Sequence, residues 1–230
     1  MKVVLSPAKA IDLSKTLGTK KVSIPEFIDE AEGLVKKLRK FSSRKIGTMM
    51  HLSKDLSDLN HQRYQNWKKV NAVSDETGQV SAIFNGEVYK GFDALSFNAQ
   101  ELEIAQDKIR ILSGLYGVLK PMDVVYPYRL EMGTRWAVTP SKTNLYKFWG
   151  TKLADFLNEE NDSGILINLA STEYFKAIDK KTINGTIITP SFKEFKNGDY
   201  KVVMVYAKRA RGLMARYIVK NNINNPEELK

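Results

Sequence analysis

Short apolar runs that stop at small or polar residues are the feature that most restricts how this sequence can fold. They occur at residues 3–5, 80–84, 109–112, 165–169 and 186–189. Apolar runs of this length, bounded by turn-forming residues, are typical of strands. Two further strands are predicted at 192–195 and 200–206, because residues 196–199 read Lys-Asn-Gly-Asp, a hairpin-turn sequence.

Segments whose apolar residues recur at helical spacing lie between the predicted strands. One of them opens at Asn98, where Glu101 completes a capping-box pattern. The predicted helices cover residues 25–41, 44–69 in two pieces, 98–108, 144–159 and 209–221. Strands and helices are mixed throughout, which predicts an α/β fold: a mixed sheet with surrounding helices in a single compact domain, residues 1–230.

The charge balance indicates a polyanionic partner. The 230 residues include 36 lysines and arginines against 26 aspartates and glutamates, a formal net charge of +10. Such an excess favours nucleic acid, an anionic membrane or phosphorylated ligands, and net charge alone does not choose between them. The basic run at 36–45 follows acidic residues at 26–32, an order that suits the helix dipole, so it is interpreted as a solvated helix end.

Composition excludes several classes of protein. The sequence has no cysteine, which excludes disulfides, thiolate catalysis, iron–sulfur clusters and zinc fingers. Its two histidines, His51 and His61, have no local metal-site signature, and no phosphate loop or dinucleotide fingerprint occurs, so no metal site and no cofactor are expected. The opening apolar run is too short for a signal peptide or a membrane span, so we expect a cytoplasmic protein without membrane contact.

Polar residues at the ends of the predicted strands form the first candidate site. In open α/β sheets, ligands bind beyond the carboxyl ends of the strands, so parallel neighbouring strands would gather these residues into one cleft. The alternative is a set of ordinary turns. The expected cleft-lining residues are Ser6, Lys9, Asn85, Ser113, Gly114, Tyr116, Asn168 and Ser171.

The irregular segment 119–135 is the second candidate site. Aromatic residues interleaved with arginine suit stacking on bases and pairing with phosphates. The residues expected to make these contacts are Lys120, Tyr126, Tyr128, Arg129 and Arg135. The alternative is a loop fixed by tyrosine packing and by an ion pair of Glu131 with Arg129 or Arg135.

The basic segment 206–217 is the third candidate site. Lys208, Arg209 and Arg211 are placed where a predicted strand passes into a helix, and Arg216 falls near the same helical face as Arg209. A helix N-terminus prefers acidic residues, so a basic one suggests that amides and guanidinium groups are presented to a phosphate. The alternative is a solvated helix face.

A helix-hairpin-helix element, whose backbone amides hold a DNA phosphate, has two weak matches. Residues 56–61 lie between helical stretches but lack both of the glycines that the motif uses. Residues 112–117 contain Gly114 and Gly117, but with one extra residue between them and a predicted strand before them.

Six stretches of the sequence carry a resemblance to a known family. They are VVLSPAKAID (3–12), FNGEVYKG (84–91), ILSGLYGVLKPMDVVYPYRLEMGTR (111–135), LYKFWG (145–150), LINLASTEYFKAI (166–178) and YAKRARGLMARYIV (206–219). In these stretches, and in their order, the chain resembles the YaaA family of bacterial peroxide-stress proteins.

The resemblance implies a cytoplasmic α/β fold of family-specific topology with a positively charged cleft. It also implies DNA binding, with a helix-hairpin-helix-like element placed by position at 53–64, inside the helical subregion 25–69. The implied role is hydrogen peroxide resistance, through limiting free iron and Fenton damage to DNA. No established enzymatic reaction comes with the family.

Three functions are consistent with these features of the sequence. The first is a stress protein that binds duplex or damaged DNA with little sequence preference and steep salt dependence. The alternative is an enzyme acting on a nucleobase, nucleotide or DNA lesion, with Lys9 as nucleophile and Glu131 as acid or base. Iron sequestration would rely on carboxylates and is not expected. The expected phosphate contacts are Lys9, Lys120, Tyr128, Arg129, Arg135, Lys208, Arg209, Arg211 and Arg216.

Overall fold

The computed structural model describes residues 1–196 and 198–229. Its strands are β1 (Lys2–Leu5), β2 (Ala10–Ile11), β3 (Gly78–Gln79), β4 (Phe84–Asn85), β5 (Ile109–Ser113), β6 (Gly117–Leu119), β7 (Val124–Val125), β8 (Ile165–Asn168), β9 (Thr186–Ile188), β10 (Glu194–Lys196) and β11 (Asp199–Lys201). Its α-helices are α1 (Ile28–Leu38), α2 (Ser43–Met50), α3 (Lys54–Asn66), α4 (Val80–Ile83), α5 (Glu87–Phe92), α6 (Ala99–Lys108), α7 (Leu145–Trp149), α8 (Lys152–Glu159), α9 (Thr172–Phe175) and α10 (Met204–Lys220).

A five-stranded mixed sheet, in the order β6-β5-β1-β8-β9, forms the centre of the fold. Strands β5, β1, β8 and β9 run parallel, and β6 returns antiparallel to β5. β1 is buried along its whole length and bonds to a strand on each side, with Val3 opposite both Ile109 and Ile167. The expected α/β fold in one compact domain is confirmed, since side chains from most of the chain join a single core cluster.

The order of the strands changes direction at β1. Along the chain, β1 is followed by β5 and β6 on one side, and the chain then crosses to β8 and β9 on the other side. The connections that follow β1 and β8 therefore leave the sheet in opposite directions. Such a reversal opens a crevice at the carboxyl ends of the two neighbouring strands.

Three predicted elements differ from the structure. Residues 80–84 were expected to form a strand, but Val80–Ile83 is a helical turn, because a short apolar run that is buried on all sides fits either conformation. The helix expected over 144–159 is split into α7 and α8 at Gly150, whose φ of 55° breaks the helix. The strand expected over 200–206 ends at Lys201; part of the predicted turn, Asn197, lies outside the described residues.

Two glycines allow α5 and α10 to pack backbone against backbone. A Cβ atom placed on Gly212 would lie 1.9 Å from the carbonyl oxygen of Val88, and one on Gly91 would lie 2.3 Å from the carbonyl oxygen of Arg209. Neither clash can be relieved by turning a side chain, since the obstructing atoms belong to the backbone. This crossing holds the first half of α10 against the segment that follows β4.

Buried hydrogen bonds fix the start of segment 119–135. The carboxylate of Asp123 accepts from the Ser23 hydroxyl at 2.6 Å and from the Lys120 N–H at 2.7 Å. Asp123 is 1% exposed, and this burial raises its pKa to about 6 despite those bonds.

Among the described residues, no helix combines the length and the apolar character needed to cross a membrane.

The substitution Gly212→Ala should lower the free energy of unfolding by about 3 kcal/mol, because it forces two helix backbones apart. Urea unfolding followed by circular dichroism measures this change. Gly33→Ala is the matched control, because Gly33 is an exposed residue inside α1 and no atom lies within 4 Å of its Cβ position. This substitution should raise the free energy of unfolding by about 0.5–1 kcal/mol. Equal effects of the two substitutions would contradict the close crossing.

Asp123 should make the protein less stable as the pH rises through about 6. The pKa of Asp123 is raised in the folded state, so its stabilising contribution is complete below the unfolded value of 3.8 and is lost above the folded one. Relative to Asp123→Asn, the free energy of unfolding of the unsubstituted protein should fall by roughly 1–3 kcal/mol between pH 4.5 and pH 7.5. A difference that stays constant over this range would show that Asp123 does not titrate as expected.

Candidate functional site

A cavity of about 320 Å³ opens at the carboxyl ends of β1 and β8, where the strand order reverses. We call it the strand-end pocket. Four parts of the chain line it: residues 6–10 after β1, residues 85–88 around the start of α5, residues 171–174 after β8, and α10 through Lys208 and Arg211. Ser6, Lys9, Asn85 and Ser171, four of the residues expected at a common cleft, are brought together here.

Two serines tie the strand-end loops to each other. The Ser6 hydroxyl oxygen accepts from the Ser171 N–H at 2.8 Å and lies 3.3 Å from the Ser171 hydroxyl. The Tyr89 hydroxyl, from α5, donates to the carbonyl oxygen of Ser6 at 3.0 Å. These bonds hold three walls of the pocket in a fixed relation.

A short antiparallel pairing sets the position of Asn85. Ala10 of β2 pairs with Asn85 of β4, which places the Asn85 side chain beside the loop that carries Lys9. Asn85 is half-buried, and no hydrogen bond of its side-chain amide is present among the described residues.

Lys208 and Arg211 reach the pocket from inside α10 rather than from its N-terminus. The helix starts at Met204, so these residues lie in its second and third turns, and the expectation that they present helix-terminal amides to a phosphate is wrong. Residues three apart on a helix share a face, so the two cations lie side by side. Lys208 is exposed; Arg211 is half-buried, and burial lowers the pKa of its guanidinium group.

Glu131 lies between two cations next to the pocket. Its carboxylate is 2.8 Å from the Lys9 amine and 3.0 Å from the Arg129 guanidinium group. The ion pair of Glu131 with Arg129, one of the alternatives for segment 119–135, is therefore present. Arg135 is exposed and is not paired with Glu131.

Sequence reasoning missed two acidic residues of the pocket. Glu87 lies at the start of α5 and pairs with Lys90 at 2.6 Å, and the hydrogen bond from Lys90 lowers the pKa of Glu87. Glu173, in α9, accepts from the N–H of Gly133 at 3.0 Å. Glu87 lies two positions after Asn85, and Glu173 lies two positions after Ser171. Extending each expected strand-end site by two residues would therefore have included both glutamates.

Four expected cleft residues lie elsewhere, because they are packed into the core. Ser113 is fully buried and shares a hydrogen bond with the Tyr128 hydroxyl at 2.6 Å, while the Tyr116 hydroxyl accepts from Trp67 at 2.7 Å. Gly114 packs against the backbone of Leu130. The Asn168 amide bonds to residues near its own strand end: it accepts from the Ala170 N–H and donates to Thr189.

The tyrosines of segment 119–135 are structural. Tyr126 is 4% exposed and Tyr128 is 5% exposed, so their rings have no free face and the expectation that they stack on bases is wrong. The ring of Tyr128 instead packs edge-on against Tyr116 at a centroid distance of 5.1 Å. This is the tyrosine packing that was the alternative for the segment.

Two expected phosphate contacts are occupied by ion pairs. Lys120 lies beyond β6, at the opposite edge of the sheet, and its amine is 2.6 Å from Glu160. Arg216 is 3.2 Å from the Asp93 carboxylate and donates to the Asp93 carbonyl oxygen at 2.9 Å. Neither side chain lines the strand-end pocket, so the structure does not bring these two expected phosphate contacts to the site.

A helical hairpin lies inside the expected subregion 25–69, but its turn does not coincide with either of the two motif matches. α2 and α3 are joined by residues 51–53, with His51 in the left-handed conformation at φ 54°. Residues 56–61 lie inside α3, and residues 112–117 form the turn between β5 and β6, so both sequence matches to the motif are wrong. A Cβ atom on Gly47 would lie 2.3 Å from the Ser57 hydroxyl oxygen, which shows how closely the two helices pack.

The chain is similar over its whole length to known proteins. A family model described as "Peroxide stress protein YaaA" matches residues 1–230. A UPF0246 protein of Burkholderia multivorans is 47% identical over 235 aligned residues, which cover 100% of this chain and 90% of the relative. UPF0246 proteins of Ralstonia pickettii and Colwellia psychrerythraea are 47% and 46% identical, each over 233 aligned residues with the same coverage.

In the described part of the chain, no group of three or more His, Asp or Glu side chains could hold a metal ion.

Replacement of Ser6 by alanine should loosen the pocket, since the Ser171 N–H loses its acceptor. We expect Ser6→Ala to lower the free energy of unfolding by about 1 kcal/mol, measured by urea unfolding. Ser141→Ala is the control, because among the described residues the Ser141 hydroxyl bonds to Thr139 alone, on an exposed turn. This substitution should change stability by less than about 0.5 kcal/mol. A neutral Ser6→Ala would argue against the bond between the two loops.

Proposed function

The chain belongs to the YaaA family of peroxide stress proteins, and on this premise we propose that it binds DNA through the basic rim of the strand-end pocket. Binding would have little sequence preference and would help to limit iron-dependent oxidative damage to DNA. The protein would act in the cytoplasm, on duplex or damaged DNA.

The observation that carries the proposal is a group of α10 cations near the pocket that form no ion pair among the described residues, although Arg209 lies near enough to Glu87 for its charge to lower the pKa of that carboxylate. Lys208 and Arg209 are exposed on α10, and neither forms an ion pair among the described residues. Arg211 is half-buried beside them, again without a carboxylate in contact within the described part of the chain. Unpaired cations in a row are suited to phosphates, because a phosphate contact replaces water and a condensed counterion rather than an existing ion pair.

Cations from segments 6–10 and 129–135 extend this rim. Lys9 is 63% exposed although Glu131 holds its amine, so the amine can also face a phosphate. Arg135 is exposed two residues after Gly133, whose N–H bonds to Glu173 of the pocket. Contacts of this kind set the position of DNA but carry no sequence information, which is why little sequence preference is proposed.

The α2–α3 hairpin is a second surface for the backbone of DNA. Its turn is short, and Arg44 and Lys45 are exposed at the start of α2. The family resemblance supports a helix-hairpin-helix-like role for this element. Because the hairpin lacks the glycines of that motif, we assign it a lesser part of the affinity than the rim.

Loss of rim cations should weaken DNA binding and its salt dependence together. The double substitution Lys208→Gln/Arg209→Gln should reduce affinity for a short duplex about tenfold or more at low salt. It should also reduce the slope of log affinity against log salt by about 2, since each phosphate contact contributes roughly 0.9. Fluorescence anisotropy over a salt series measures both quantities.

The matched control removes the same charge from α1. Lys36 and Lys37 are exposed in the basic run interpreted as a solvated helix end. Lys36→Gln/Lys37→Gln should therefore leave the slope nearly unchanged. Equal losses in the two double variants would mean that net charge, and not the rim, governs binding.

A second candidate function, an enzyme acting on a nucleobase, nucleotide or DNA lesion, is favoured by one contact. The Lys9 amine lies at the pocket, 2.8 Å from Glu131, a pairing of possible nucleophile and acid or base. Borohydride should trap a Lys9 Schiff base on an abasic-site oligonucleotide if this function holds, and Lys9→Met should abolish trapping while DNA binding persists. Absence of trapping removes the lyase form of the hypothesis.

A further inference from the structure

We propose that the strand-end pocket binds one nucleotide unit, with its phosphate on Arg211 and Lys208 and its base against Asn85. The inference rests on the proposed DNA binding for the source of that nucleotide, which would be a residue turned out of a duplex. The chemistry of the site is argued from the pocket alone.

The size of the pocket fits a single nucleotide. Its volume of about 320 Å³ is at the lower end of the range of ligand sites, roughly 300–1,000 Å³. A duplex can lie across the rim but cannot enter a cavity of this volume. The cavity can therefore hold a single nucleotide, whereas the rim contacts the duplex.

Arg211 marks the phosphate end. Its guanidinium group is half removed from water and has no carboxylate in contact among the described residues, an arrangement that a bound anion would stabilise. A guanidinium group is planar and bonds a phosphate through two parallel N–H groups. Lys208, on the same face of α10, adds a second positive charge at this end.

Asn85 marks the base end. Its amide offers a donor and an acceptor side by side, the combination that bonds two positions on the edge of a base. Backbone pairing with Ala10 fixes the residue, while its side chain forms no hydrogen bond among the described residues. Apolar walls are provided by Pro7, Ala8 and Val88.

The acidic residues of the pocket are consistent with this orientation. Glu87 is paired with Lys90, and Glu173 accepts the N–H of Gly133, so each carboxylate already has a bonding partner. Neither Glu87 nor Glu173 forms an ion pair with Arg211 in the described part of the chain. Because both carboxylates line the pocket, their negative charge disfavours a second phosphate group there and favours the amino or hydroxyl groups of a nucleoside.

A nucleotide in a duplex reaches such a pocket only when it is turned out of the stack. That step has a free-energy cost in intact DNA, and the cost is lowest at a mismatched or damaged position. A pocket for an extruded nucleotide, behind a rim that binds the backbone, would thus give a preference for damaged duplexes without reading their sequence.

The experiment uses the whole chain and a duplex with 2-aminopurine opposite a mismatched base. Saturating protein should raise the fluorescence of 2-aminopurine several-fold as the base leaves the stack. Asn85→Leu should abolish the rise in fluorescence, while the affinity for the duplex, measured by anisotropy, stays within about twofold of that of the unsubstituted protein.

A second experiment measures the binding of deoxynucleoside 5′-monophosphates by calorimetry. Arg211→Gln should weaken this binding about tenfold. Lys37→Gln, on the exposed face of α1, is the control that removes one positive charge away from both DNA surfaces, and it should leave fluorescence and mononucleotide binding unchanged.

The outcomes separate this inference from the proposed function. Tight duplex binding with no fluorescence rise and no mononucleotide binding overturns the inference and leaves DNA binding in place. Mononucleotide binding lost in Arg211→Gln, without any duplex binding, supports the nucleotide site and contradicts the DNA function. Inorganic phosphate that binds as tightly as a mononucleotide shows a simple anion site and overturns the assignment of the base end.

Discussion

Backbone hydrogen bonding of β1 on both of its edges is the constraint on which the rest of the structure depends. The strand is fully buried and has β5 on one side and β8 on the other, so the chain after Leu5 has to leave the sheet at its carboxyl edge. The chain after β8 leaves the same edge in the other direction. The strand-end pocket is the space between these two exits, and the bonds between Ser6 and Ser171 fix its width.

The approach of α10 completes the site. Without glycine at 91 and 212, the backbones of α5 and α10 could not come within contact distance, and the helix would be displaced from the pocket. With the helix in place, Lys208 and Arg211 face the strand ends although they lie almost the whole chain length away from Ser6. The close packing at Gly91 and Gly212 thus determines where Lys208 and Arg211 are placed.

The basic excess of the sequence is divided between two uses. Lys120 and Arg216 are held by Glu160 and Asp93, and Arg129 shares Glu131 with Lys9. The ion pairs of Lys120, Arg216 and Arg129 are contacts inside the fold, whereas Lys9 remains 63% exposed despite its pairing with Glu131. Lys208, Arg209 and Arg211 of α10 form no ion pair in the described part of the chain, and the proposed rim rests on these cations rather than on the net charge.

Local sequence patterns were sufficient for elements whose signals are local. They identified β1, β5 and β8, the capping box that opens α6, both helices of the hairpin, and the family with its peroxide-stress role. They also selected Ser6, Lys9 and Ser171, because residues that follow parallel strands share one edge of a sheet. Asn85 was selected by the same reasoning, but it reaches the pocket through the antiparallel pairing of β4 with β2. Only the tertiary structure decided the conformation of residues 80–83, the start of α10 and the burial of Tyr126 and Tyr128. Burial, ion pairing and close helix contacts depend on residues distant in sequence, whereas a pattern in one segment records only its own periodicity.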